Sequence, residues 1–242
     1  MREVTFDERT ARSYDDDSAA MFDPAVLGPT VDLLAELAGG GAALEFAVGT
    51  GRVALPLAAR GVPVSGLDVS DPMLARLRAK PGADAVAVTR ADFTTDRVEG
   101  SFALVYLVFN TIMNVTTQAE QVATFRNAAA HLAPGGRFLV ETMVPQLQRL
   151  PPGERVRPFT VTPTRLGFDE YDVATQRMWS HHWVLEGERT RVLSVPFRYA
   201  WPAELDLMAQ LAGMDLEHRW ADWSRAPFTG DSTSSVSVWR LP

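Results

Sequence analysis

Short apolar, β-prone runs recur along the first part of the chain, at 43–48, 63–68, 85–90, 102–109 and 137–143. Between them, apolar positions return at helical spacing. Leu33, Leu34 and Leu37 form a stripe ahead of the first run. Val53, Leu57 and Ala58 share a face after it, and Gly61 is placed to end that helix in a left-handed conformation. Ser70 stands where a helix cap belongs, with Asp71 and Pro72 in the first turn and Met73, Leu74 and Leu77 following. Thr117 and Glu120 have capping-box spacing, and Val122, Phe125, Ala129 and Leu132 continue at helical intervals. Strand–helix alternation of this kind predicts an α/β fold, a mostly parallel sheet with helices on both faces.

The pattern changes after residue 145. Residues 157–201 are rich in Thr, Val and aromatics and carry turn signals such as Glu186-Gly187-Glu188, so they read as antiparallel strands and hairpins. A helix is expected from Pro202, carrying Leu205, Met208 and Leu211, with final strands in 214–223 and 234–241. The expected organisation is a single domain over 1–242. It has a ligand-binding core at 12–145, an antiparallel β insertion at 155–200 and a closing helix and strand pair at 202–242. An exposed apolar face on the insertion would need a ligand or a partner. Such a face would serve as a lid over an acceptor or as a homodimer contact.

Charge and composition narrow the function. Net charge is −7, no basic cluster occurs, and Asp15-Asp16-Asp17 reads as a solvated N-terminal face, so a nucleic-acid partner is not expected. No 18-residue apolar stretch occurs, and 1–17 is polar and acidic, unlike a signal peptide; a cytoplasmic protein with no membrane partner is expected. There is no cysteine, and the four histidines lack zinc-site spacing, so no metal is expected.

The chemistry centres on "ALEFAVGTGRVALPLAARG", 43–61, in which an apolar run is followed by Gly49-Thr50-Gly51 and a helical stretch. Arg52 and Val53 stand where a P-loop needs Lys and Ser or Thr. Gly49-x-Gly51-x-x-Ala54 fits the dinucleotide fingerprint, with Asp68 near the position of a ribose carboxylate, so an NAD(P) oxidoreductase stays open. Against it, Glu45 lies inside the first strand. A buried acid would repel a pyrophosphate and suits an ammonium or sulfonium ligand. No Y-x-x-x-K pair occurs either. Asp92-Phe93 ends the third run with an acceptor and an aromatic face suited to adenine, and Pro134-Gly135-Gly136 precedes the fifth.

With these motifs in order, "LEFAVGTGR", "VSGLDVSDPMLARLRAK", "ADFTTD" and "LAPGGRFLVE", the chain resembles the class I S-adenosylmethionine-dependent methyltransferases of small-molecule type over residues 12–143. Ala47 departs from the glycine common there and fits if its backbone angles are ordinary. The resemblance implies S-adenosyl-L-methionine as cofactor, a small-molecule acceptor and transfer to N or O. It implies that Gly49 and Gly51 admit the cofactor's amino-acid part and that amides at 51–53 meet its carboxylate. Glu45 would compensate its ammonium and Asp68 accept both ribose hydroxyls. Val69 and Met73 would flank the adenine, Asp92 read its amino group and Phe93 pack nearby. Leu107, Val108 and Phe109 would border the methionine part, with Phe46, Ala47, Thr50 and Ala91 completing the set and Tyr14 reaching over from the N-terminal segment. A non-catalytic cofactor-binding module is the third reading.

Methyl transfer is an in-line displacement that needs positioning and water exclusion, and a base only for a hydroxyl acceptor. His181 and His182 are the base candidates; adjacent on a strand, they point to opposite faces, so at most one meets a pocket. His131 is expected at a helix C-terminus favoured by the dipole, and His218 has no supporting context. Trp179, Trp183, Trp201 and Trp223 are candidates for an acceptor wall or for core packing.

Overall fold

The computed structural model describes residues 6–187 and 189–242; residues 1–5 of the polar N-terminal stretch and Glu188 of the turn signal lie outside the described residues. The elements run α1 (Glu8–Asp17), α2 (Pro24–Ala38), β1 (Ala43–Phe46), α3 (Ala54–Ala59), β2 (Val64–Asp68), α4 (Asp71–Arg78), β3 (Val86–Arg90), β4 (Phe102–Leu107), α5 (Gln118–His131) and β5 (Leu132–Met143). Then follow β6 (Val156–Val161), β7 (Arg165–Asp172), β8 (Arg177–Glu186), β9 (Arg189–Arg198), α6 (Pro202–Leu211), β10 (Asp215–Trp220) and β11 (Ser234–Arg240).

The main sheet has the order β3-β2-β1-β4-β5-β11-β10, parallel from β3 to β5, with β11 antiparallel to both β5 and β10. β1 pairs β2 on one side and β4 on the other. The order therefore reverses at β1, and the crevice beyond its carboxyl end is where such sheets hold ligands. β6-β7-β8-β9 form a second, antiparallel sheet.

Local signals explain most elements. Ser70 caps α4 by accepting the Met73 N–H at 3.3 Å. Thr117 caps α5, taking the Glu120 N–H at 3.2 Å. Leu33, Leu34 and Leu37 face the core, and Gly61 follows the end of α3 at φ +85°.

Three expectations are corrected. Leu132 does not extend α5; pairing of β5 with β4 begins there, and Pro134-Gly135-Gly136 forms an irregularity within the strand, with Gly135 at φ +76°. The buried face of α5 is Gln121, Thr124, Phe125, Asn127, Ala128 and His131, while Val122 and Ala129 sit at its margin. Its polar members are satisfied: Asn127 donates to the Phe93 and Asp96 carbonyls, both at 2.8 Å. Finally, Asp15 is no solvated bystander, since it accepts from the Thr50 hydroxyl at 2.6 Å and pairs with Lys80 at 2.5 Å. These bonds, with Ser70 donating to the Phe6 carbonyl at 2.5 Å, seat α1 over the carboxyl ends of β1 and β2.

Gln121, Gln176, Arg198 and Glu204 join the two sheets in one polar knot, with Gln121 and Arg198 buried and Gln176 and Glu204 half-buried. Arg198, 5% exposed, donates to Gln121 Oε1 at 2.5 Å, to Gln176 Oε1 at 3.2 Å and to Glu204 Oε1 at 2.7 Å. Gln121 in turn donates to the Arg198 carbonyl at 3.0 Å.

Candidate functional site

β1 alternates Leu44 and Phe46 into one core layer with Ala43 and Glu45 on the other face. Glu45 is 3% exposed and accepts from the Tyr106 hydroxyl at 3.0 Å. Burial pushes its carboxyl up to about 8, against the Tyr106 hydrogen bond and the Arg52 charge. The same burial, with Glu45 alongside, holds the Tyr106 phenol far above its ordinary value, so Tyr106 remains the donor.

Beyond β1 the chain turns sharply. Ala47, Gly49 and Gly51 all have positive φ, at +55°, +55° and +80°. The condition placed on Ala47 is thus not met: it occupies the left-handed region, at a cost of roughly 1–2 kcal/mol for a residue with a Cβ. Phe109 and Asn110, just past β4, are also left-handed, at +58° and +59°. Strain collects on both sides of the same crevice, as it does at ligand sites. A side chain at Gly51 would press Leu77 and Leu55 at 2.9–3.1 Å, so only glycine fits there.

Asp68 closes β2. Its carboxylate accepts the Gly49 N–H at 2.9 Å and the Ser70 N–H at 2.8 Å, tying the glycine turn to the next strand. Asp92 accepts both the N–H and the hydroxyl of Thr94, at 2.8 and 2.6 Å.

Tyr14, Glu45, Ala47, Gly49, Thr50, Val108 and Phe109 meet around a narrow cavity of about 40 Å³. Val48, Arg52, Val53 and Thr111 complete its wall. Arg52, which sequence reasoning used only to exclude a P-loop, lies over the Phe109 ring at 5.0 Å. Met73 and Asp68 adjoin the turn at Gly49, and Ala91 donates to the Asp68 carbonyl at 3.0 Å, bringing 91–93 alongside. Val69 is 40% exposed on the same rim. Phe46, Phe93 and Leu107 do not face the cavity: all three are core, with Phe46 and Phe93 stacked at 5.6 Å. α3 begins only at Ala54 and has 6 residues, so the amides of the turn itself, rather than a helix dipole, are what 51–53 offer.

A second cavity of about 340 Å³ lies between α1 and one face of the antiparallel sheet; Tyr14 lines this one too. His182 faces it; its Nε2 is 3.2 Å from the Ser180 hydroxyl and its Nδ1 3.5 Å from Arg165. Burial, with the Arg165, His181 and Arg191 charges, holds His182 below its ordinary value, so it is neutral at pH 7. His181 points to the opposite face, bonded to the Ser194 hydroxyl at 2.8 Å.

The remaining candidates separate. His131 does end α5, but not as a cation: it is buried, accepts the Val98 N–H at 3.1 Å and is held below its ordinary value by burial. His218 stacks on Trp220 at 4.7 Å. None of the four candidate tryptophans lines the larger cavity. Trp183 stacks on Phe168 at 5.0 Å and Trp179 lies beneath Arg177, both on the far face of the sheet.

The class these features define is that of α/β enzymes with a Rossmann-like sheet, a glycine turn after β1 and an acid ending β2. A sequence profile described as a methyltransferase domain matches residues 43–136. The chain is 38% identical to the CcbJ methyltransferase of Streptomyces caelestis, over 88% of each chain, with a TM-score of 0.80. It is 27% identical to the cypemycin N-terminal methyltransferase of a Streptomyces species, over 93% of this chain and 96% of that protein. Its fold matches the SAM-bound structure of CalS10, an amino pentose methyltransferase of Micromonospora echinaspora, with 23% identity, 88% and 89% coverage and a TM-score of 0.65.

The protein belongs to the class I S-adenosylmethionine-dependent methyltransferases. That membership replaces the oxidoreductase and non-catalytic readings. The donor set fits the cofactor: a buried carboxylate for a cationic amino-acid end, turn amides beside it and a carboxylate on the neighbouring strand. No helix among the described residues is long and apolar enough to cross a membrane.

Proposed function

We propose that the protein methylates a nitrogen of a small-molecule acceptor held between α1 and the antiparallel sheet. The observation that carries this is Tyr14, which lines both the cavity at the glycine turn and the larger cavity beyond it. One side chain therefore stands where donor and acceptor meet. The cypemycin enzyme, named for an N-terminal acceptor, supports an amine.

When bound, S-adenosylmethionine supplies a sulfonium methyl for in-line transfer to the acceptor lone pair, leaving a neutral thioether. Glu45 would face its ammonium end, Arg52 and the turn amides its carboxylate, and Asp68 would accept from the ribose. Val69, Met73 and 91–93 border the adenine. α1, which contributes Tyr14 to both cavities, would cover the reacting atoms and exclude water.

A nitrogen acceptor fits the surroundings of His182. Its two ring nitrogens already face Ser180 and Arg165, so no ring nitrogen is left aimed at a reacting proton. An amine that enters unprotonated needs none. His182→Ala is therefore expected to lower kcat on an amine acceptor less than fivefold. A fall of roughly 10²–10⁴-fold, the usual general-base contribution, would point to a hydroxyl acceptor instead. Turnover of labelled cofactor against paired amine and alcohol panels decides between them.

The cofactor roles have their own test. S-adenosylhomocysteine at 100 times its Kd is expected to raise Tm by about 5–10 °C, the equivalent of about 2.7 kcal/mol, whereas NAD leaves it unchanged. Asp68→Ala is expected to weaken that binding by on the order of 2–4 kcal/mol, more than it lowers stability. A variant that binds normally but melts much earlier would reduce Asp68 to its bonds with Gly49 and Ser70.

A further inference from the structure

Opposite the glycine turn, the wall of the narrow cavity is made by Val108, Phe109 and Thr111. This stretch begins where regular pairing stops, since the β4–β5 ladder ends at Leu107 and Val140. Phe109 and Asn110 then follow in left-handed conformations, at φ +58° and +59°. Two consecutive residues with a Cβ keep such angles only where their surroundings fix them. The fixing groups come from the end of β5. Glu141 Oε2 accepts the Phe109 N–H at 2.7 Å. The Glu141 carbonyl accepts the Asn110 N–H at 3.3 Å, and Asn110 Oδ1 accepts the Met143 N–H at 2.6 Å. Of the three bonds, the first alone spends a carboxylate on a backbone amide, which is a bond of the stronger kind.

The pleat explains how Glu141 reaches this place. Glu45, Tyr106 and Leu139 lie side by side across β1, β4 and β5. Glu141 is two residues beyond Leu139, so it stands on the face that carries Glu45, nearer the carboxyl ends of the strands. Phe109, once fixed, lies 5.0 Å from the Arg52 guanidinium, within cation–π reach. Arg52 belongs to the opposite wall, next to Gly51, and donates to the Met21 carbonyl at 3.4 Å. One amide and one ring thus link the Glu141 side chain to the far side of the cavity. Glu141 itself lines neither this cavity nor the larger one.

We propose that Glu141 is a positioning residue for the methyl donor: its bond to the Phe109 amide holds the Phe109 ring against Arg52, and so sets the width of the slot that takes the cofactor's methionine part. This rests on the reading that puts the methionine part beside Phe109.

The test uses the full chain and S-adenosylhomocysteine, with binding read by calorimetry and the Phe109 amide followed by NMR. In the wild type that amide signal is expected far downfield, the mark of a bond to a carboxylate. Glu141→Met should move it upfield and raise the Kd of S-adenosylhomocysteine by about tenfold or more. Glu141→Gln, whose Oε1 can still accept the amide, should recover most of the affinity, which a general loss of stability would not allow. Phe109→Ala should weaken binding as well. Adding Glu141→Met to Phe109→Ala should then change Kd by less than about threefold, because the ring through which Glu141 acts is already gone. Binding at wild-type strength in Glu141→Met, an unmoved Phe109 signal, or a full further loss in the double variant would overturn the proposal. Binding at wild-type strength in Phe109→Ala would instead place the methionine part away from Phe109, and the proposal would fall with the reading it rests on.

Discussion

Glu45→Gln is expected to make the ligand-free protein more stable at pH 8 and, at the same time, a poorer binder of its cofactor. Burial keeps the Glu45 carboxyl protonated up to about 8, whereas in the unfolded chain it ionises near its ordinary 4.5. Between those values the folded state binds the extra proton, so stability falls as pH rises through that window and levels off above it. Glutamine imitates the protonated acid and removes the decline. The variant should match the wild type near pH 4.5 and exceed it by on the order of 3–5 kcal/mol at pH 8.5. Urea unfolding at several pH values measures this. A cationic cofactor end facing Glu45 favours the ionised form, so binding should release a proton in the wild type and none in the variant. Calorimetry in two buffers of different ionisation enthalpy reads that proton. A variant with an unchanged pH slope would mean that Glu45 is already ionised against a partner in the folded protein.

The second large effect is expected at the knot joining the two sheets. Arg198→Met leaves Glu204, Gln121 and Gln176 without their shared donor in a buried setting, and removing one partner of such a pair costs about 3–5 kcal/mol. For a chain of this length that is a Tm loss of about 6–20 °C. Arg198→Met/Glu204→Met should recover much of it, because the uncompensated acid goes too. If the single variant lost under 1 kcal/mol, the knot would be solvated and the sheets held together by apolar contacts alone.

The parts legible in the sequence are those where residue type and burial agree. The five apolar runs became β1 to β5, Ser70 and Thr117 became caps, and 157–201 became an antiparallel sheet. Gly49 and Asp68 could be placed around one crevice because a strand and the turn after it leave little choice of position, whereas Tyr14 was placed by the resemblance alone and the helix that carries it, α1, gave no expectation. What escaped were polar side chains spent inside the protein. Gln121, Asn127, His131 and Arg198 have surface-type side chains, and only the carbonyls and carboxylates around them show why they are buried. The facing of His181 and His182 needed the register of β7, β8 and β9, since alternation says only that they differ. Whether the tryptophans wall a pocket or pack elsewhere stayed open for a related reason: Trp179 and Trp183 alternate with Ser180 and His182, so lining the cavity with histidine turned them away from it. Ala47 signalled its left-handed backbone only through the resemblance, by standing where the family commonly has glycine, because the conformation is imposed by the turn rather than by alanine.

The position of β11 has a consequence for how the chain comes to be made. It lies inside the main sheet, between β5 and β10, with Val236, Val238 and Trp239 buried, yet it is the strand furthest along the sequence. During synthesis, β1 to β5 and their short local connections can assemble as they emerge, whereas β5 stays an open edge until residues 234–240 arrive. All of the second sheet is made in that interval. An open edge with apolar faces templates pairing with other chains, so the nascent protein is most prone to aggregate while it already contains the whole glycine-turn crevice. A stalled or truncated chain that ends before Ser234 would carry the whole glycine-turn crevice beside an unpaired strand edge.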